Sequence, residues 1–169
     1  MSILDDNRSA DSVSTYNAMR LEDEIKTKQF RNERHKLTVN LIYSHSWLME
    51  RNNRLFHSQG LTMQQYNILR ILRGQHPKAC NLQLLKERML DKQPDVSRLI
   101  DRLVQKSLIE RATSTTDRRK LDIVISQSGL DLLARMEPQV AVADNELDAL
   151  SDREVAELNN LLDRLRDSK

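Results

Sequence analysis

One cysteine, three glycines, three prolines and six aromatic side chains are all that 169 residues contain of those types. A lone Cys80 cannot close a disulfide within the chain, so a reducing cytoplasm is the simplest home. So few glycines and prolines leave little forced turning and suit a helical protein. No apolar run approaches the roughly eighteen residues that a membrane span needs, and no signal-peptide pattern opens the chain, so no membrane partner is expected. There is no glycine-rich phosphate loop, no Gly-x-Ser-x-Gly elbow and no clustered carboxylate pair, which argues against an enzyme. His35, His45, His57 and His76 lack the paired spacing of metal ligands, so neither metal nor cofactor is expected.

Charge is plentiful, at 31% of residues against 38% apolar, yet the net formal charge is only +2. The small total hides a division. Residues 61–125 carry 13 Lys and Arg against 7 Asp and Glu, whereas residues 126–169 carry 5 against 10 and residues 1–60 carry 9 against 8. A positive middle beside an acidic end is expected where one lobe meets a polyanion and another has a different task.

Residues 1–16 are polar and aperiodic and read as a disordered tail. The next segment reads as one long helix over about residues 20–57, with a break near residue 32 as the alternative. Glu22 with Lys26 and Glu24 with Lys28 lie four apart, and Leu41, Leu48 and Leu55 share one heptad position. Thr62 and Gln65 form a capping box for a helix that Gly74 would stop. Asn81 caps a short helix ending near Leu90. Pro94 suits a first helical position, opening a helix that runs to about Lys106. Ser126 opens a helix that Pro138 should kink or break. Ser151 and Glu154 box the start of a last helix carrying Val155, Leu158, Leu161, Leu162 and Leu165.

Residues 93–129 hold the most information. Val96, Leu99, Ile100 and Leu103 make a helical stripe that leaves Ser97, Arg98, Asp101, Arg102 and Gln105 outside it. Ile109, and then Leu121, Ile123 and Ile125, alternate as a half-buried hairpin whose loop, Ser114–Lys120, ends in Arg118, Arg119 and Lys120. A helix followed by a hairpin with a cationic tip is the plan of a winged helix-turn-helix, a mainly α fold with a small β wing. The division expected is a DNA-binding lobe at 61–125 and a helical dimerisation lobe from 17–60 and 126–169. Surplus apolar stripes on the terminal helices fit a two-fold dimer, although folding back onto the winged helix would also cover them.

The runs VSRLIDRLVQKSLIER and TDRRKLDIVISQSGLDLL resemble the MarR (multiple-antibiotic-resistance regulator) family of dimeric winged-helix transcription factors. The likeness covers about residues 35–165. Asp117-Arg118-Arg119-Lys120 matches the D-x-R wing signature, and Ile125-Ser126-Gln127-Ser128-Gly129 is similar to the L-T-x-x-G segment that follows it. The resemblance implies a homodimer on double-stranded DNA, with a cleft for a small effector. It puts Lys92, Gln93, Ser97, Arg98 and Arg102 on the recognition helix or its approach. Arg118 and Arg119 fall in the wing with Lys120 beside them, and Asp117 organises it. Pro94 and Asp95 depart from the family's small polar residues; Asp95 could accept from a cytosine amine but would repel phosphate. Ser107 stands where a glycine in left-handed conformation is usual.

Arg98 and Arg102 either reach DNA or pair with Asp95 and Asp101. Cys80 reads as a buried structural thiol, since no second cysteine exists to resolve an oxidised one. Tyr43, Trp47 and Tyr66 sit where the resemblance places the effector cleft, with Arg51 as anion partner for a small aromatic or anionic ligand; padding between lobes is the other reading. Two functions follow: a ligand-released repressor of a palindromic operator, or a dimeric interaction protein on the same scaffold with weak or no specific DNA binding.

Overall fold

The computed structural model describes residues 20–92, 95–113, 121–145 and 149–167. They fall into two compact units that meet in sequence between Trp47 and Leu48. The expected tail lies outside the described residues.

In the first unit a single turn, α1 (Leu21–Glu24), precedes α2 (Glu33–Ser58), which continues into the second unit's sequence. The one-helix reading of residues 20–57 is therefore corrected in favour of the break. Lys26 adopts a left-handed conformation (φ 54°) and the Thr27 amide donates to the Glu22 carbonyl, the bond that closes a helix C-terminus. Asn32 then starts α2 afresh, its Oδ1 accepting from the His35 amide at 2.9 Å. Glu22 and Glu24 of α1 bond across to α2 rather than four residues along. Lys36 Nζ donates to Glu22 at 2.6 Å and Tyr43 Oη to Glu24 at 2.7 Å.

The second unit builds α3 (Met63–Gln75), α4 (Leu82–Arg88), α5 (Val96–Gln105), β1 (Ile109–Thr113), β2 (Leu121–Ile125), α6 (Gln127–Asn145) and α7 (Asp152–Asp167). Thr62 and Gln65 cap α3 reciprocally, Asn81 caps α4, and Ser151 exchanges bonds with Glu154 at the start of α7, all as expected. α6 runs on through Pro138 without the break that was the alternative there. Two boundaries differ. α3 passes through Gly74 to Gln75, because Gly74 is not in the left-handed conformation a stop requires. α5 begins at Val96, not Pro94, because Asp95 is its N-cap; Pro94 itself lies outside the described residues.

One apolar core holds this unit together. Ile68, Leu69 and Leu72 of α3, Leu85 and Met89, Ile100 and Leu103 of α5, Ile123 of β2, and Leu133 and Met136 of α6 are all buried. Cys80 belongs to it as the structural thiol expected, with burial pushing its pKa up. Its backbone pairs with Ile123 through two bonds of 2.8 Å, adding a third strand-like contact to the antiparallel β1–β2 hairpin. α7 buries no residue, and Val155, Leu158, Leu161 and Leu165 remain exposed along it. No helix among the described residues is long and apolar enough to cross a membrane.

Candidate nucleic-acid interface

α5 presents two faces. Val96, Ile100 and Leu103 are buried, which leaves Ser97, Arg98 and Arg102 exposed on the opposite side. Arg98 and Arg102 are one turn apart, so their guanidinium groups leave the helix in neighbouring directions. Among the described residues neither side chain has an ionic partner, and the pairing with Asp95 or Asp101 that sequence allowed is not formed. Each guanidinium is left with donors that suit a phosphate or the paired acceptors of a guanine.

Asp95 is committed elsewhere. Its Oδ1 accepts from the Arg98 amide at 3.1 Å. An acidic residue at this approach is thus accounted for by helix capping and by the favourable helix dipole, worth about 0.5–2 kcal/mol for the cap. Asp101 is committed too, to Arg111 of β1. Lys92 donates from Nζ to the Glu87 carbonyl at 2.7 Å, tethering the approach to the end of α4. Gln93 lies outside the described residues.

The hairpin leaves the core next to the end of α5. Ser107 is left-handed (φ 57°), as the glycine it replaces would be, and the amides of Ser107 and Leu108 return to the carbonyls of Val104 and Leu103. Ser126 stitches this turn to α6: its Oγ donates to the Ser107 carbonyl at 2.7 Å and accepts from the Gly129 amide at 3.1 Å. The strands pair from Ile109 with Ile125 to Thr113 with Leu121. Arg118, Arg119 and Lys120 belong to the connecting segment 114–120, outside the described residues.

A recess of about 390 Å³ is lined by residues of the first unit, among them Leu21, Lys36, Asn40, Tyr43 and Trp47. Tyr43 and Trp47 are thereby brought together, with Trp47 47% exposed. The Tyr43 hydroxyl donates to Glu24, and that bond raises its pKa. Tyr66 and Arg51 belong to the second unit. There Tyr66 stacks on Phe56 at 4.4 Å between ring centroids and accepts from Arg70 at 2.9 Å.

Sequence reasoning missed three tethers: Asp101 with Arg111, Lys106 Nζ with the Gly60 carbonyl, and the Leu90 amide with Asn67 Oδ1 at 3.0 Å. It also missed the Asp95 cap by opening the helix at Pro94, although an acidic residue just before an apolar stripe was the signal for it.

The arrangement agrees with comparisons to known proteins. The MarR family model matches residues 61–121. The chain is 29% identical over 133 residues to the HTH-type transcriptional regulator MhqR of Bacillus subtilis, spanning 77% of this chain and 89% of that protein. It is similar to the crystal structure of a MarR transcription factor from Planctomyces limnophilus, at 29% identity and a TM-score of 0.62 over 80% of this chain and 98% of that one. It also shares the fold of Bordetella bronchiseptica BpsR, at 22% identity and a TM-score of 0.67 over 78% and 98% of the two chains. That structure concerns regulation of BpsR's DNA binding by 6-hydroxynicotinic acid.

Proposed function

The chain belongs to the MarR family through its winged-helix segment, and on that premise we propose that it is a homodimeric repressor that holds a palindromic operator until a small aromatic effector releases it. It is a transcriptional regulator, not an enzyme. The observation that carries the finer reading is the exposed face of α5, where Ser97, Arg98 and Arg102 stand opposite the buried stripe without ionic partners among the described residues. In this reading they enter the major groove, with Lys92 and Gln93 at the helix approach and Arg118, Arg119 and Lys120 of the wing on the backbone or in the minor groove.

Residues 61–125 form the reading lobe, and 17–60 with 126–169 form the dimerisation lobe. Leu158 and Leu161, exposed on α7, support that division, since an amphipathic helix with no buried residue calls for a partner surface. A second copy supplies it and, by two-fold symmetry, a second recognition helix about 34–36 Å away. Ligand control of DNA binding in BpsR supports an effector here. Tyr43 and Trp47, which line the recess, are the residues assigned to it.

The test is fluorescence anisotropy on the chain's own promoter region and on random duplex, across salt. Arg119→Ala should weaken both and lower the salt slope by about one, whereas Arg98→Ala should cost about 1–3 kcal/mol on operator alone. Equal losses on both duplexes for both variants would refute the assignment.

A further inference from the structure

Directly opposed residues of an antiparallel pair share a face of the sheet. On the hairpin, Ile109 faces Ile125, Arg111 faces Ile123 and Thr113 faces Leu121. Ile109, Ile123 and Ile125 are buried, so Arg111 sits in the core-facing row, at the point where alternation calls for an apolar side chain. It is not buried there. Its guanidinium pairs with Asp101 of α5, both side chains staying about half exposed. An exposed pair of this kind adds little to stability. Its position is more informative, because it joins the helix proposed to read bases to the strand that carries the wing.

Asp101 also follows Arg98 by three residues and precedes Arg102 by one, so it is the one carboxylate within the exposed cationic segment of α5. Pairing with Arg111 holds that charge at the strand and leaves the two arginines free of it.

We propose that Asp101 and Arg111 are a positioning pair that fixes the recognition helix relative to the wing strand and thereby contributes to operator choice with neither side chain touching a base. This rests on the DNA-binding reading above. Because each partner acts through the other, losing either one loses the effect, and losing both costs no more than losing one.

Two measurements test it. In solution without DNA, spin labels on Ser97→Cys and Thr113→Cys report the helix-to-strand distance, Cys80 being too buried to be labelled. The distribution should broaden in Asp101→Ala and in Arg111→Ala, and an unchanged distribution overturns the proposal. On DNA, each single variant should lower the ratio of operator to random affinity about tenfold, the double variant should lose no more, and the salt slope should stay as in the parent. Additive losses overturn it. So does a loss equal on operator and random DNA with the slope reduced by about one, because Arg111 would then be a phosphate contact. A parent chain with no operator preference would sink the DNA reading, while the label distances would still decide on the pair.

Discussion

Gly129 is the most tightly enclosed of the three glycines, and replacing it with alanine gives a magnitude that can be worked from distances. A Cβ at this position would stand 2.3 Å from the Leu108 carbonyl oxygen and 2.8 Å from Cγ1 of Ile125. The oxygen is backbone, and it already accepts from the Ser126 amide at 3.1 Å, so it cannot step aside alone. Relief requires α6 to lift from the α5–β1 turn. Overpacking of this sort costs about 1–3 kcal/mol. A weakened Ser126 bond adds about 1 kcal/mol, and alanine's better helix propensity returns about 1 kcal/mol. The balance is about 1–3 kcal/mol of destabilisation, or roughly 2–12 °C in Tm at this chain length. Gly74 is the control: it lies in the last turn of α3, and nothing stands within 4 Å of a Cβ placed there. Gly74→Ala should raise stability by about 0.5–1 kcal/mol. Urea unfolding of both variants at one protein concentration decides the matter. A Gly129→Ala protein as stable as its parent would show that the contact between α6 and the turn is looser than described.

Leu158→Glu combined with Leu161→Glu should convert the proposed dimer into monomers by light scattering and abolish the proposed operator preference; a dimer that survives both would move the interface away from α7. Ser107→Gly should stabilise by about 0.5–1 kcal/mol in the same unfolding assay, since glycine takes up the left-handed conformation without steric cost; a loss would mean the serine side chain contributes more than its backbone strain. A planar aromatic acid such as salicylate should quench Trp47, the only tryptophan, and release DNA over the same concentration range. Release unchanged in Trp47→Ala would place the effector outside the recess.

What could be read from sequence follows a physical divide. The caps at Thr62, Asn81 and Ser151 depend on a side chain and an amide three residues on, so the sequence contains the whole interaction. The hairpin's Ile123 and Ile125 were legible because alternation is local, whereas the left-handed Ser107 was legible only through the family resemblance, which puts a glycine there. Partners brought together by tertiary structure were not. Glu22 and Glu24 lie four residues before Lys26 and Lys28, which looks like helix support, yet they bond Lys36 and Tyr43. Asp101 had Arg102 beside it and took Arg111 from a strand ten residues away. Of the DNA-contacting residues proposed, the helical period put Ser97, Arg98 and Arg102 outside the apolar stripe, and only the family resemblance gave them a role.

The bridge between Cys80 and Ile123 bears on how this protein avoids unwanted association. Any hairpin offers two rows of unsatisfied amides and carbonyls onto which a foreign strand can add. On the β2 side, the segment before α4 occupies the row at its middle by an amide and a carbonyl bond. On the β1 side, Glu110 and Arg111 line the rim with charge. A projecting wing has to stand clear of the body to reach a polyanion, and it would otherwise be the natural seed for strand-to-strand aggregation. Because the guard at Ile123 comes from backbone atoms, replacing the thiol of Cys80 leaves it intact; only displacing that segment from β2 would expose the edge.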